Sequence, residues 1–435
     1  MKVTGDVGPQ VLKYLFDALK IDHAWALREP RSFTWWAHRL AQRVWAEPAR
    51  SSHDHDVVRV HAATAVVRGV SDTADLRARL ATTNRFMSLG AIVASQAGDR
   101  IILHSAACFH AQNMAWLQPL FLAAVGIQVA DAHIKADGLA RLLGGEPDVS
   151  AHPGSGARRE PDEILSVIAT VIAPGGEGAS PWAEGDFKAT SEMRPRPWVL
   201  ATAGAEGMTA EFPFTGDLPA GMASGPETAL LTVSSTERHP QLGSGLLLRL
   251  QLPFNVSKER GADLSWMLNA LETTSETNAH RLGAWCLGPA PPGRPDAHSI
   301  TFVSFVPAVA YRKGLLDVLS MDMAIRTRWV AHALLGEGGT KASTPEEFAE
   351  ALRRASEPQH LEQLREVLQV GSEAIQAEAA EHAAEVQKAG ELWRRRPAPE
   401  TVQCWACRAP LTVTAETRGK KVKCPRCGTK QALPR

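Results

Sequence analysis

The chain has 435 residues, of which 44% are apolar and 22% are charged, a composition typical of a folded protein with two or three domains. Its 47 basic residues balance its 47 acidic residues, which excludes a protein whose whole surface attracts nucleic acid by net charge. No apolar stretch follows the N-terminus as in a signal peptide, and the most apolar stretch, residues 116–130, is too short to span a bilayer. We therefore expect a cytoplasmic protein without a membrane partner.

The first third of the chain has the pattern of an α+β unit over residues 8–143. The segment 57–67 alternates and is rich in β-branched residues, which predicts a strand, and Asp72 with Asp75 suits the start of a helix. The predicted elements are a helix over 11–19, strands over 34–45 and 57–67, a helix from about 72, a hairpin over 90–105 and an amphipathic helix from about 112.

A second unit over residues 161–336 repeats this order after a linker over residues 144–160, which is rich in Gly, Ser and Pro. Its predicted elements are a helix over 161–171, strands over 207–214, 228–234 and 245–253, a helix over 262–272, paired strands over 281–286 and 299–305, and a helix over 309–335. In both units an asparagine of the middle helix, Asn84 or Asn269, precedes a Leu-Gly-Ala triplet. We predict an α+β fold made by tandem duplication of an α-β-β-α-β-β-α unit, a sheet with helices on one face.

The segment 344–396 predicts a long helical arm. Thr344 and Glu347 form a capping box with a proline at the first helical position, and apolar residues then recur at steps of three and four. This apolar stripe fits either docking along the chain's own sheets or an intermolecular coiled coil.

Residues 401–432 have the pattern of a zinc ribbon. Cys404 and Cys407 form one CxxC pair, and Cys424 and Cys427 form a second pair after an intervening sixteen residues. Four thiolates close a tetrahedral site with no open position for water, which predicts one structural Zn²⁺. Redox pairs or a disulfide hairpin are the alternative interpretation of the same spacing.

The ribbon is basic although the chain is neutral. Residues 401–435 contain eight lysines and arginines and one glutamate, so with a Zn(Cys)₄ centre the net charge is roughly +5. The residues that we expect to contact phosphates, if nucleic acid is the partner, are Lys420, Lys421, Lys423 and Arg426.

The ribbon resembles a widespread class of short bacterial zinc ribbons with the pattern CxxC…GKxVxCPxCG. The matching residues are Gly419, Lys420, Val422, Cys424, Pro425, Cys427 and Gly428. The first CxxC pair departs from that class because Trp405 and Ala406 separate its cysteines. The resemblance implies an accessory module attached to other domains.

The duplicated unit resembles the fold of type III secretion chaperones and YbjN-like proteins. The likeness lies in the order of elements and in pieces such as residues 103–110 followed by residues 113–120. It implies a twisted sheet with a helix before, within and after it, and a protein that presents grooves to an extended segment of a partner. Two copies in one chain would supply internally the platform that such chaperones form as homodimers.

Two further clusters have a functional and a structural interpretation. Residues 53–56, His-Asp-His-Asp, suit either a cation site or a solvated hairpin tip, and alternating side chains in an extended segment favour the tip. Trp35, Trp36 and Trp45 suit either core packing, which we favour, or an exposed recognition stripe.

The remaining cysteines and their neighbours do not predict catalysis. His104, Cys108 and His110 lie close in sequence and could form a Cys–His nucleophile, but their apolar neighbours favour core histidines beside a buried thiol. Cys286 likewise suits a buried free thiol. The glycine-rich segments lack the Lys-Ser/Thr of a phosphate-binding loop, so no small-molecule substrate is evident and we expect no enzyme.

The sequence therefore supports two hypotheses. The first is a non-catalytic protein-interaction protein, similar to a chaperone or adaptor, with a structural zinc ribbon and a protein partner. The alternative is a nucleic-acid-associated regulator that binds phosphates through the basic ribbon.

Overall fold

The computed structural model describes most of the chain. The described residues are 5–52, 55–95, 98–171, 179–194, 197–215, 227–273, 281–289 and 296–340, and near the C-terminus 401–404, 409–412, 417, 420–428 and 430–432. The chain divides into two compact units, Met1–Ile375 and Gln376–Arg435, which we call the body and the C-terminal module. Helices and antiparallel sheets are both present, which confirms the predicted α+β class.

The first half of the body is one antiparallel sheet with three helices. Its elements are α1 (Gly8–Ala18), β1 (Ala26–Glu29), β2 (Ser32–Trp36), β3 (Ala41–Ala46), β4 (Arg50–Ser52), β5 (His55–Arg68), α2 (Ala74–Thr83), β6 (Ala91–Ala94), β7 (Arg100–Phe109), α3 (Met114–Leu143) and β8 (Glu146–Pro147). The strands lie in the order β1-β2-β3-β5-β7-β6, and β4 and β8 pair with β5.

The second half repeats this path. Its elements are α4 (Glu163–Val171), α5 (Glu184–Ser191), β9 (Leu200–Ala203), β10 (Gly207–Pro213), β11 (Thr228–Ser234), β12 (Gly245–Val256), α6 (Lys258–Leu271), β13 (Ala284–Leu287), β14 (His298–Pro307) and α7 (Leu315–Thr340). The order β9-β10-β11-β12-β14-β13 matches the six-stranded path of the first sheet, and β4 and β8 have no counterpart among the described residues. In both halves a four-stranded path precedes the middle helix, where the sequence pattern had predicted two strands in the first half and three in the second.

A buried asparagine marks the same point in each half. The Asn84 amide donates to Ile92 O (2.9 Å) and accepts from Ile92 N (2.7 Å). The Asn269 amide donates to Trp285 O (2.7 Å) and accepts from Trp285 N (3.0 Å). Each amide therefore ties the end of the middle helix to the strand that follows it, and it satisfies backbone groups that would otherwise be buried without partners.

The first sheet is covered by α3, a helix of 30 residues that is apolar on most sides. By length and composition α3 would pass as a membrane span, but 61% of its most apolar window is buried inside the body. Gly144 ends the helix in the left-handed conformation (φ 76°), where glycine carries no Cβ penalty.

The segment 144–160, predicted as a linker, packs against the first sheet. Trp36 Nε1 donates to Ser150 Oγ (3.1 Å), and the Arg158 guanidinium donates to Trp36 O (2.8 Å). A turn from His152 to Gly156 is closed by backbone bonds and by the His152 ring, which accepts from two backbone N–H groups. Its Gly, Ser and Pro content therefore builds an ordered turn rather than a free tether.

The predicted helical arm, residues 344–396, lies outside the described residues. The described part of the C-terminal module contains two small hairpins, β15 (Thr401–Gln403) with β16 (Pro410–Thr412) and β17 (Lys421–Lys423) with β18 (Lys430–Ala432).

Candidate functional site

The two halves of the body meet through equivalent elements. The middle helices α2 and α6 pack against each other. The Arg77 guanidinium joins them, because it bonds to Asp72 on its own half (2.8 Å) and to Asp263 on the other (3.0 Å), with the Trp266 ring 5.0 Å away. The two carboxylates raise the pKa of Arg77. An interface of like elements is the geometry of a two-fold dimer within one chain.

The loop after α2 and the C-terminal end of α6 each contact the sheet of the other half. Ser88 Oγ donates to Phe305 O (2.6 Å), and Phe305 N donates back to Ser88 O (3.1 Å). In the opposite direction the Arg59 guanidinium donates to Glu272 O at the end of α6. Arg281, whose side chain is fully buried, bonds to the carbonyl of Asn269 at the same helix end.

The end of α6 collects buried charges. Glu272 Oε1 accepts from Arg326 Nε (2.9 Å) and from Trp285 Nε1 (2.8 Å), and Arg326 also donates to Asp322 Oδ2 (2.9 Å). The guanidiniums of Arg59 and Arg281 donate to backbone carbonyls at the buried C-terminal end of α6, where the helix dipole favours positive charge. Burial nevertheless lowers the pKa of Arg281 to about 10.

A buried chain of two imidazoles joins β5 and β7 of the first sheet. His61 Nε2 bonds to Glu47 Oε1 (2.8 Å), and His61 Nδ1 bonds to His104 Nε2 (3.1 Å). The His61 ring stacks on Trp45 with centroids 4.6 Å apart. Burial lowers the pKa of His61 to about 4 and lowers the pKa of His104 well below its usual range. Both rings are therefore neutral at physiological pH.

The sequence neighbours of His104 are held by backbone contacts. Asn113 Nδ2 donates to Cys108 O (3.0 Å), and Asn113 Oδ1 accepts from His110 N (3.0 Å). Of the predicted cluster, His104 therefore belongs to the chain of imidazoles. The backbone groups of Cys108 and His110 are instead bound by Asn113. The Cys286 thiol donates to Thr301 O (3.4 Å), and burial raises its pKa to about 12.

A cleft of about 420 Å³ opens between the two halves. Its lining residues are Ala107, Cys108, His110, Gln112, Asn113, Trp116, Leu117, Met193, Leu282, Asp317, Val318, Leu319, Met321, Asp322 and Ile325. One wall is the start of α3 and the other is the exposed side of α7, and Trp116 Nε1 bridges them by donating to Lys313 O (2.9 Å). Ile325 is 45% exposed at the mouth.

In the C-terminal module three of the four predicted metal ligands come together. The sulfur atoms of Cys404, Cys424 and Cys427 lie within 4.8 Å of one another, and those of Cys404 and Cys427 are 3.6 Å apart. Tetrahedral thiolates around Zn²⁺ lie about 3.8 Å apart, given a Zn–S bond of about 2.3 Å. The donor set and spacing therefore fit a metal ion; Cys407 lies outside the described residues.

Turns hold these sulfurs in place. Cys404 N donates to Ala409 O (2.8 Å), and Gly428 N donates to Cys424 O (2.8 Å) with Gly428 in the left-handed conformation (φ 76°). Such turns let the cysteines of a CxxC pair face one centre.

The four predicted phosphate contacts, Lys420, Lys421, Lys423 and Arg426, are all exposed. In the β17–β18 hairpin Lys423 lies directly opposite Lys430. The hairpin therefore concentrates positive charge beside the cysteines, although like charges that face each other across two strands repel.

The other predicted sites are structural where they are described. Trp35 is fully buried and Trp36 nearly so, which is core packing. His53 and Asp54 lie outside the described residues, and Asp56 accepts from Gly5 N (3.2 Å).

No protein-family model, curated protein or solved structure matches this chain. The cleft was not predicted from the sequence, because its residues come from distant segments that meet only when the two halves pack. The available signal was a second apolar pair on this helix. Met321 and Ile325 lie four residues apart, beside the buried Leu319 and Met323.

Proposed function

We propose that this chain is a non-catalytic interaction protein that captures an amphipathic helix of a partner protein in the cleft between its two halves. The proposal rests on one observation, the half-open cleft between α3 and α7. A groove between two helices with an apolar floor suits a third helix, which would insert side chains spaced by three or four residues.

The chemistry of the cleft specifies the partner further. Two methionines, Met193 and Met321, line it beside Leu117 and Ile325, and flexible thioethers adapt to varied apolar side chains. Asp317 is half-buried at the wall and accepts from Thr190 Oγ1 (2.5 Å). A carboxylate in this place favours a partner helix with a lysine or arginine beside its apolar stripe.

The same proposal includes the origin of the body as a tandem pair of units similar to type III secretion chaperones and YbjN-like proteins. Identical strand order in the two sheets and the repeated asparagine tie at Asn84 and Asn269 support a duplication. One chain would then supply both halves of a dimer-like platform.

The C-terminal module would hold one structural Zn²⁺. The four residues that would bind it are Cys404, Cys407, Cys424 and Cys427. Thiolate ligands need a reducing compartment, in agreement with the expected cytoplasmic localisation.

The test is site-specific photo-cross-linking in the native host. A benzophenone side chain replaces Ile325 in the cleft or, as the matched control, Ile134, which is 70% exposed on α3. We expect Ile325 to cross-link one recurrent protein through an amphipathic helical segment, and a synthetic peptide of that segment to lose binding to Ile325→Asp. The same products from both positions, or a cross-linked segment without an apolar stripe, would contradict the proposal.

Nucleic-acid binding is the second candidate, favoured by the exposed lysines beside the cysteine cluster. Replacing Lys420, Lys421 and Lys423 with Gln should abolish binding to a DNA duplex and flatten its salt dependence. The control replaces Lys13, Lys188 and Lys313, which are exposed on the body. Equal binding by both triple variants would eliminate this candidate.

A further inference from the structure

Strand β9 forms the outer edge of the second sheet, and among the described residues no strand pairs with its free side. Gly204 N donates to Gly207 O (2.9 Å), so in the β9–β10 hairpin the backbone groups of Thr202 point towards β10. Hydrogen-bonded and non-bonded pairs alternate along an antiparallel ladder. The N–H and C=O groups of Ala201 and Ala203 therefore point outward.

The β9 edge lacks the devices that protect exposed strands from pairing. Residues 198–205 contain no charged residue and no proline, and Leu200 is 57% exposed. The corresponding edge of the first sheet, β1, carries Arg28 and Glu29. An edge that is short but uncharged is a template for another strand.

We propose that β9 pairs antiparallel with β9 of a second copy of this chain, about a two-fold axis through Thr202. In this register Ala201 of each copy lies opposite Ala203 of the other, and the outward groups of both exchange backbone hydrogen bonds in each direction. The sheets of the two copies then join into one.

The sequence of the strand favours a second copy over an unrelated strand. Ala201-Thr202-Ala203 reads the same in both directions, so antiparallel self-pairing places like residues opposite each other. Thr202 is on the exposed face, where a Thr–Thr pair across the axis is favourable. The alanines of the other face are small enough to leave the packing of each sheet on its helices unchanged.

The test is the oligomeric state of the full chain, measured by sedimentation equilibrium up to about 200 µM, since an interface of one short strand is weak. Thr202→Lys places like charges next to each other on the axis and should raise the dimer dissociation constant at least about tenfold. Thr209→Lys is the matched control, because Thr209 is exposed on β10 directly opposite Thr202 and lies one strand away from the edge. It should dimerise as the unchanged chain does.

A charge-pair experiment identifies the contact itself. Thr202→Lys and Thr202→Glu should each be monomeric alone and should form a dimer when mixed. A chain that is monomeric throughout the concentration range, or a Thr202→Lys variant that dimerises like Thr209→Lys, would overturn the proposal. Dimers of Thr202→Lys alone with the strength of the mixture would overturn it as well.

Discussion

Acidification should destabilise the body through His61. Its folded-state pKa is about 4 because burial disfavours the imidazolium, whereas in the unfolded chain the pKa is 6.5. Between these values the unfolded state binds a proton that the folded state does not, so stability falls as the pH drops from 6.5 towards 4. A difference of about 2.5 pKa units amounts to about 3 kcal/mol, or about 1.4 kcal/mol for each pH unit.

The hydrogen-bond chain explains why folding holds this ring neutral. In the tautomer that the network favours, His61 Nε2–H donates to the Glu47 carboxylate and His61 Nδ1 accepts from His104 Nε2–H. A proton on His61 Nδ1 would oppose that donor and would add charge beside Arg59 and Arg281, which also lower its pKa.

The assay is urea unfolding of the full chain at pH 7.0, 5.5 and 4.5, followed by tryptophan fluorescence. His61→Gln keeps a hydrogen-bonding side chain and removes the titration, so it should be less stable than the unchanged chain at pH 7.0 but should lose less stability on acidification. His23→Gln is the control, because His23 is exposed in a short turn, and this variant should keep the full pH dependence. Parallel pH profiles for His61→Gln and the unchanged chain would refute the reasoning.

Three further predictions follow from the described contacts. Asn269→Ala should cost about 2–3 kcal/mol in the free energy of unfolding, because two backbone groups lose their buried partner, and Asn84→Ala should cost as much for the same reason. A smaller loss in urea unfolding at either position would show that water replaces the amide. Glu272→Gln should destabilise the body by about 3 kcal/mol or more, because Arg326 keeps its buried charge with one carboxylate fewer; equal stability in urea unfolding would contradict this. Cys424→Ser should release zinc and unfold the C-terminal module while the body unfolds as before, and a variant that retains one zinc per chain by mass spectrometry would contradict the ligand assignment.

The long, regular elements of the body were predictable from the sequence. The alternating segment 57–67 lies within β5, and the apolar stripe after residue 112 became α3. The segment 34–45 was predicted as one alternating strand, but the chain bends at residues 37–40 and forms the β2–β3 hairpin. Alternation continues across a tight turn, so periodicity alone does not locate it.

Short edge strands and long-range contacts were not predictable. β1 and β9 have four residues each, too few for a period of two to stand out. Buried Arg281 and Arg326 look like solvent-exposed arginines in the sequence, because their partners at Glu272 and Asn269 become neighbours only through the loop and helix packing. The cysteine cluster was predictable because ligand spacing within each CxxC pair is local.

The two halves carry different side chains at equivalent positions of the same sheet path. The register places His104 opposite Ala91 in the first sheet and Val303 opposite Ala284 in the second. In a dimer of identical subunits, every residue appears on both sides of the axis, so a histidine at this place would be present twice. A chain that contains both halves is free of that constraint, so the two sides of its interface can carry different residues. The walls of the cleft differ in the same way, since the first half contributes Trp116 and Leu117 and the second half contributes Met321 and Ile325. A partner helix bound there, as proposed, would meet two different walls and would bind in one direction.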